Sequence, residues 1–163
     1  MALAYVARFS TSAAKFERYL TRKLREKGWD GEGEPPVAAT VARYVELGYV
    51  DDESYARMKS GSLLRRGYGA RRVDQALGQA GIAEGLRAEV APGEVAAREA
   101  AATYARRRIS GSERSEAPAA REKQLAAMVR AGHGFDAARA LVDAASVAEV
   151  EQWIDEAREQ EES

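Results

Sequence analysis

Apolar residues recur along this chain at three- and four-residue spacing, and no alternating apolar–polar stretch of strand period stands out. The pattern predicts an all-α protein. Ser12 is a natural N-cap for a helix over 13–27, with Phe16, Tyr19, Leu20 and Leu24 on one face and Gly28 as its stop. Gly31-Glu32-Gly33-Glu34 reads as a loop. Pro35 and Pro36 then open a helix that turns Val37, Val41, Tyr44 and Val45 inward and stops at Gly48. Asp51 or Asp52 caps the next helix, whose apolar positions include Tyr55 and Met58, and Gly67-Tyr68-Gly69 breaks it. A helix with Val73, Ala76 and Leu77 ends at Gly81, and Pro92-Gly93 closes a short segment around Leu86 and Val90. A long helix is expected from about Glu94 to Ile109, then a polar loop from Ser110 to Pro118. Leu125, Met128 and Val129 mark a helix broken at Gly132-His133-Gly134, and Phe135, Leu141 and Val142 mark another. Ser146 with Glu149 forms a capping box for a last acidic helix through Val147, Val150 and Ile154, with Glu159 to Ser163 expected to fray.

The helices recur as a set. Leu24, Leu77 and Met128 each precede a stop glycine, Gly28, Gly81 and Gly132, by four residues. Tyr5-Val6-Ala7-Arg8, Tyr55-Ala56-Arg57 and Tyr104-Ala105-Arg106 recur upstream of those stops. Three short helices bury little apolar surface alone, so stacked units are expected. The pattern predicts an elongated array of three tandem three-helix repeats, over 1–50, 51–93 and 94–146, followed by an acidic C-terminal helix or tail over 147–163. Leu24, Leu77 and Met128 should occupy equivalent buried positions.

Composition narrows the chemistry. The 163 residues contain no cysteine and one histidine, His133. Disulfides and thiolate chemistry are excluded, and a Ser-His-Asp triad or multi-histidine metal site is disfavoured. His133, between two glycines, reads as a surface histidine, and Trp29 and Trp153 as packing residues near helix ends. Asp51-Asp52-Glu53 reads as a cap with acids at the positive end of a helix dipole rather than a metal cluster. Gly31-Glu32-Gly33 has the wrong charge for a phosphate loop. No catalytic set, metal or cofactor is expected. No apolar run approaches a membrane span and no basic segment precedes an apolar one over Met1–Phe9, so the expected setting is cytoplasmic.

The net charge of −1 conceals a polarity: residues 1–130 hold 23 Lys+Arg against 17 Asp+Glu, and residues 131–163 hold 2 against 9. A basic body calls for an acidic or polyanionic partner. The basic residues concentrate at Arg57, Lys59, Arg65, Arg66, Arg71 and Arg72, with no acid before Asp74. Arg71 and Arg72 stand at a helix start, where the dipole disfavours cations, so a binding role is expected there. Arg106, Arg107 and Arg108, one unit on, continue the stripe, and Tyr68 with its glycines sets the geometry of the turn. A basic face on repeated helices points to nucleic acid or a nucleoprotein.

These residues carry a resemblance. Leu47-Gly48-Tyr49-Val50-Asp51-Asp52-Glu53-Ser54-Tyr55-Ala56, then Arg65-Arg66-Gly67-Tyr68-Gly69-Ala70-Arg71-Arg72-Val73, resembles the RecX family, whose hallmark is Leu-Gly-Tyr-Leu-Asp-Asp followed by Arg-Gly-Tyr-Gly-Pro-x-Arg-Ile. Ser12 to Leu20, Leu24 and Lys27-Gly28-Trp29 are similar to its upstream segment, and Ala70 stands where the family has Pro. The resemblance implies tandem three-helix repeats and binding in the groove of the RecA–single-stranded DNA filament, with lowered recombination, ATP hydrolysis and LexA co-cleavage. It implies RecA as partner; a monomer with direct DNA contact as a further partner is expected, and no enzyme, because no nucleophile–base set or metal set appears along the chain. The alternative is a general nucleic-acid-binding helical protein with no RecA dependence.

Overall fold

The computed structural model describes residues 1–109 and 118–163 of the chain. Among them lie ten helices and no strand. They are α1 (Ala2–Val6), α2 (Ala13–Lys27), α3 (Val37–Glu46), α4 (Asp52–Arg65), α5 (Ala70–Gln79), α6 (Glu84–Glu89), α7 (Glu94–Arg108), α8 (Pro118–Arg130), α9 (Phe135–Asp143) and α10 (Val147–Glu162). The all-α expectation holds. The apolar period does not announce the short α1, because its five residues are too few to display a helical repeat. The polar loop expected over 110–118 lies outside the described residues except for Pro118, which instead opens α8, a position where its missing N–H is harmless. Packing divides the chain into two compact units, one of residues 1–58 and 77–89, the other of residues 59–76 and 90–163.

In the first unit α2 and α3 close over Phe16, Leu20 and Val50, with Tyr5, Tyr19 and Tyr44 packed around them. Ser12 caps α2 as predicted, accepting the Lys15 N–H at 3.2 Å, and its hydroxyl donates to the Ala80 carbonyl. The two aspartates divide their work. Asp51 caps α4 through the Ser54 N–H at 3.0 Å, which holds its carboxyl below the usual range, whereas Asp52 accepts the Ala13 N–H at 2.8 Å and so completes the start of α2.

Stop glycines at 28, 81 and 132 all adopt positive φ, +81°, +77° and +97°, but they do not end their helices alike. At Gly81 the Ile82 N–H bonds the Leu77 carbonyl, and at Gly132 the His133 N–H bonds the Met128 carbonyl, the reverse-turn closure in which the residue after the glycine packs back on the helix. Leu77 and Met128 are accordingly 0% exposed. At Gly28 a single bond runs from its own N–H to the Leu24 carbonyl, the next residue Trp29 is 44% exposed, and Leu24 is only half-buried. The expected equivalence therefore holds for two positions and fails at the third. Val45, read as inward-facing, is also exposed, as is the apolar Met58 of α4.

In the second unit α7, α8, α9 and α10 enclose Ala101, Ala102, Leu125, Met128, Leu141 and Ile154. The alanines let α10 approach α7 closely. Arg98 stacks 4.6 Å from the Trp153 ring centre and donates to the Trp153 carbonyl, and Arg158 bonds Glu99 at 2.7 Å. Glu161 accepts the Val95 N–H at 3.1 Å and supplies the acidic cap that Gly93 cannot. Glu159 to Glu162 are thus helical rather than frayed, although Val147 at the other end of the stripe is exposed. The capping box at Ser146 is shifted by one residue: Ser146 accepts the Glu149 N–H, but Glu149 reaches back to the Ala145 N–H at 2.7 Å.

Candidate functional site

The Arg-Arg-Gly-Tyr-Gly-Ala-Arg-Arg segment folds as the turn between α4 and α5. Gly67 takes φ +89°, and the Tyr68 N–H bonds the Leu63 carbonyl at 3.0 Å, closing α4. Arg65, Arg66, Arg71 and Arg72 are all exposed. Two of them approach the Tyr68 ring, the Arg66 guanidinium at 5.2 Å and the Arg72 guanidinium at 5.9 Å from its centre. Such cation–π contacts each stabilise by about 0.5–1 kcal/mol at exposed sites and restrict two otherwise flexible side chains. Arg72 also donates to Gln75 at 3.2 Å. Among the described residues none of these four arginines forms an ion pair.

A second turn holds the first. Gly69 donates its N–H to the Ala131 carbonyl at 2.9 Å, and Arg71 donates its own to Gly132 at 3.2 Å, so a backbone carbonyl fills the place of a side-chain cap at the start of α5. The approach is close. A Cβ at Gly67 would stand 2.8 Å from the Tyr104 nitrogen, one at Gly132 would stand 2.5 Å from the Arg72 nitrogen, and one at Gly69 would collide with the Gly132 carbonyl group. His133 completes the clamp: its Nε2–H donates to the Gly67 carbonyl at 2.8 Å, and its ring tilts against Tyr104 at 5.9 Å. His133 is 3% exposed, which corrects its reading as a surface residue. The flanking glycines that suggested an open turn are what allow two backbones to meet and enclose the ring. Burial holds its pKa below the ordinary histidine value, partly opposed by the Gly67 carbonyl, which favours the protonated ring.

Arg65, at the end of α4, shares a groove of about 530 Å³ with Arg106 and Arg107 of α7, over a floor that includes Leu64, Ala96 and Ala100. Arg65 reaches it by lying back over Gly61, whose Cβ, if present, would be 3.0 Å from Nη1. Arg108 is exposed but does not line this groove, and Lys59 is half-buried. Arg57 belongs to the other unit and is ion-paired with Glu53 at 2.8 Å, so its charge is already met. Sequence reasoning placed Gly132 as a helix stop but not its contact with Arg72, read His133 as a surface residue and passed over Gly61; only the Gly-His-Gly spacing hinted at a tight turn. Among the described residues no cluster of His, Asp or Glu could hold a metal ion. No helix among them is long and apolar enough to cross a membrane.

Residues 51–90, which include this turn, match the family model of the second three-helix domain of RecX. Over 154 residues the chain is 34% identical to the regulatory protein RecX of Myxococcus xanthus strain DK1622, covering 87% of this chain and 82% of that relative. The chain belongs to the RecX family of regulatory proteins. A shorter match, 43% identity over 53 residues, links it to the regulatory protein RecX of Mycobacterium sp. strain JLS, over 32% of this chain and 27% of that relative. The clamp adds to the RecX family motif a partner far along the chain, since Gly132 and His133 lie outside the 51–90 match.

Proposed function

We propose that the protein is a non-enzymatic regulator that binds the RecA–single-stranded DNA filament and lowers RecA's recombinase, ATPase and co-protease activities, in the service of DNA repair and the SOS response. It acts as a monomer built of three tandem three-helix units over 1–50, 51–93 and 94–146 with an acidic terminal helix. The observation that carries the reading is the clamped turn, which presents Arg65, Arg66, Arg71 and Arg72 without ion-pair partners among the described residues. Uncompensated like charges held on a rigid turn are favourable only when an acidic partner meets them, and guanidinium forks suit both phosphate and carboxylate. Lys59, Tyr68, Arg106, Arg107 and Arg108 extend this face within the second unit.

The test is a paired titration at one salt concentration. Added to RecA on single-stranded DNA, the protein should slow ATP hydrolysis, and the Arg71→Glu/Arg72→Glu variant should lose most of that effect while keeping its helical signal. Binding to bare DNA with no effect on RecA would instead support the alternative, a general nucleic-acid-binding protein, which the two arginines against the Tyr68 ring also favour.

A further inference from the structure

We propose that Arg158, from the terminal helix α10, is a positioning residue for the basic face: it holds the Glu99 carboxylate away from Arg65, Arg106 and Arg107 and so keeps those guanidinium groups open to an acidic partner. The inference rests on the proposed function in one respect, that this face meets the partner. Among the described residues Glu99 is the one acid in the lining of the groove that these three arginines share. Arg158 Nη2 donates to Glu99 Oε1 at 2.7 Å, and Nη1 of the same guanidinium donates to Asp155 Oδ1 at 2.6 Å. All of these residues belong to the second unit.

The sequence of α7 shows why Glu99 needs a partner from outside its own helix. Glu94 pairs with Arg98, four residues on, at 2.8 Å. The positions three and four residues from Glu99 are Val95, Ala96, Ala102 and Thr103, and none is a base. The nearest base on its own face is Arg106, two turns on and about 10 Å along the axis. Glutamate and arginine side chains are long enough to close that gap, and Arg65 lines the same groove from α4. A carboxylate left free there would neutralise part of the face it borders. Arg158 is the one base in α10, among seven acids, and it is this residue that meets Glu99.

The competing account is a staple that only fastens α10 to α7. Fastening is already supplied elsewhere. Ile154 and Ala157 of α10 are buried, Arg98 stacks 4.6 Å from the Trp153 ring centre, and Glu161 caps α7 through the Val95 N–H at 3.1 Å. The Glu99 and Arg158 side chains are 52% and 50% exposed, and an ion pair so placed adds little to stability. The charge that Arg158 offsets still acts on any anion that approaches the groove, because salt screens such an interaction only beyond about 10 Å at 0.1 M.

The experiment uses the full chain and two readouts at low salt: inhibition of RecA ATP hydrolysis on single-stranded DNA, and the anisotropy of a fluorescent poly-glutamate peptide as an acidic probe. Arg158→Gln should weaken both about threefold, the size of one exposed charge interaction. Arg158→Gln/Glu99→Gln should return both to the values of the unaltered protein, and Arg158→Lys should keep them there. Arg25→Gln, which removes the same charge from an exposed position in the first unit, should leave RecA inhibition unchanged. Two results would overturn the assignment. One is Arg158→Gln matching the unaltered protein in both readouts. The other is the double variant staying as weak as Arg158→Gln, which is what a staple predicts. The two readouts also separate this inference from the proposed function. Poly-glutamate binding that follows the expected order, with no RecA inhibition by the unaltered protein, upholds the role of Arg158 and overturns the proposed function. RecA inhibition that neither Arg158 variant alters, with poly-glutamate binding equally unaltered, upholds the proposed function and overturns the role of Arg158.

Discussion

Two grooves on this molecule are lined by three arginines each, and they are not equivalent. In the first unit Arg18, Arg22 and Arg25 border a groove of about 350 Å³ together with Glu17 and Thr21. There Arg18 donates to the Gln79 carbonyl at 2.8 Å, Arg22 pairs with Glu26 at 3.7 Å and lies 5.8 Å from the Tyr19 ring centre, and Glu17 offsets the rest. In the second unit Arg65, Arg106 and Arg107 share a groove in which, among the described residues, the one carboxylate, Glu99, is bonded to Arg158 at 2.7 Å. Arginine counts are equal, but the local partners differ. A guanidinium in a short bond to a carbonyl or paired with a neighbouring carboxylate is part of the fold, whereas Arg106, with only a 3.4 Å bond to the Ala102 carbonyl, keeps most of its donors for a ligand.

The glycine stops should separate the two units most strongly. Gly132→Ala should destabilise by about 3 kcal/mol or more, because positive φ and a collision with Arg72 add together. Gly28→Ala, with the same sign of φ but open space around it, should cost about 1 kcal/mol. Denaturant melts of the two variants check the difference, and equal losses would mean that the two turns are not locked together. Next in size, and within the first unit, Leu77→Ala should cost about 3 kcal/mol and Leu24→Ala about 1 kcal/mol, following full and partial burial of the two side chains.

Functional contrast should follow the same division. Arg71→Glu/Arg72→Glu should weaken RecA inhibition at least tenfold, about 1.4 kcal/mol. Arg22→Glu/Lys23→Glu should leave it within twofold, because Lys23 already pairs with Glu26 at 2.6 Å and the pair lies in the other unit. Similar losses in both variants would show that inhibition reads only total charge.

The smallest effect concerns pH. His133 is held neutral by burial, so between its folded pKa and its unfolded value near 6.5 the unfolded chain binds the extra proton. Stability is therefore fully present above the unfolded value and falls as pH drops below it toward the folded pKa. His133→Gln removes that titration, and its melting temperature should respond less to acidification from pH 7 to pH 5 than the unaltered protein's. At pH 7 the same variant should be weaker by about 1–3 kcal/mol if the Gly67 carbonyl loses its partner.

Much of this was legible along the chain. The caps at Ser12, Asp51 and Ser146, the stops at Gly48 and Gly81 and the break at Gly67-Tyr68-Gly69 follow from local chemistry, since the bonds that cap or close these helix ends span only a few residues. The turn's arginines were legible too, as a run of bases without an acid. Asp52 was not, because its partner Ala13 lies 39 residues away, and neither was His133, whose partner Gly67 lies 66 residues away.

The helices, their ends and the family follow from the chain alone, because they depend on hydrophobic period, capping residues and a linear motif. Which charges are engaged and which glycines are indispensable follow only from tertiary packing. Arg57 and Arg65 read alike in the chain, yet one is paired with Glu53 and the other lies over Gly61 at the rim of a groove. Gly28 and Gly132 read alike as stops, yet only at Gly132 does a second backbone come close enough to forbid a methyl group. Local pattern sets a residue's conformation. Its partners depend on which distant segment the fold brings against it, and that proximity has no signature in the spacing of a single segment.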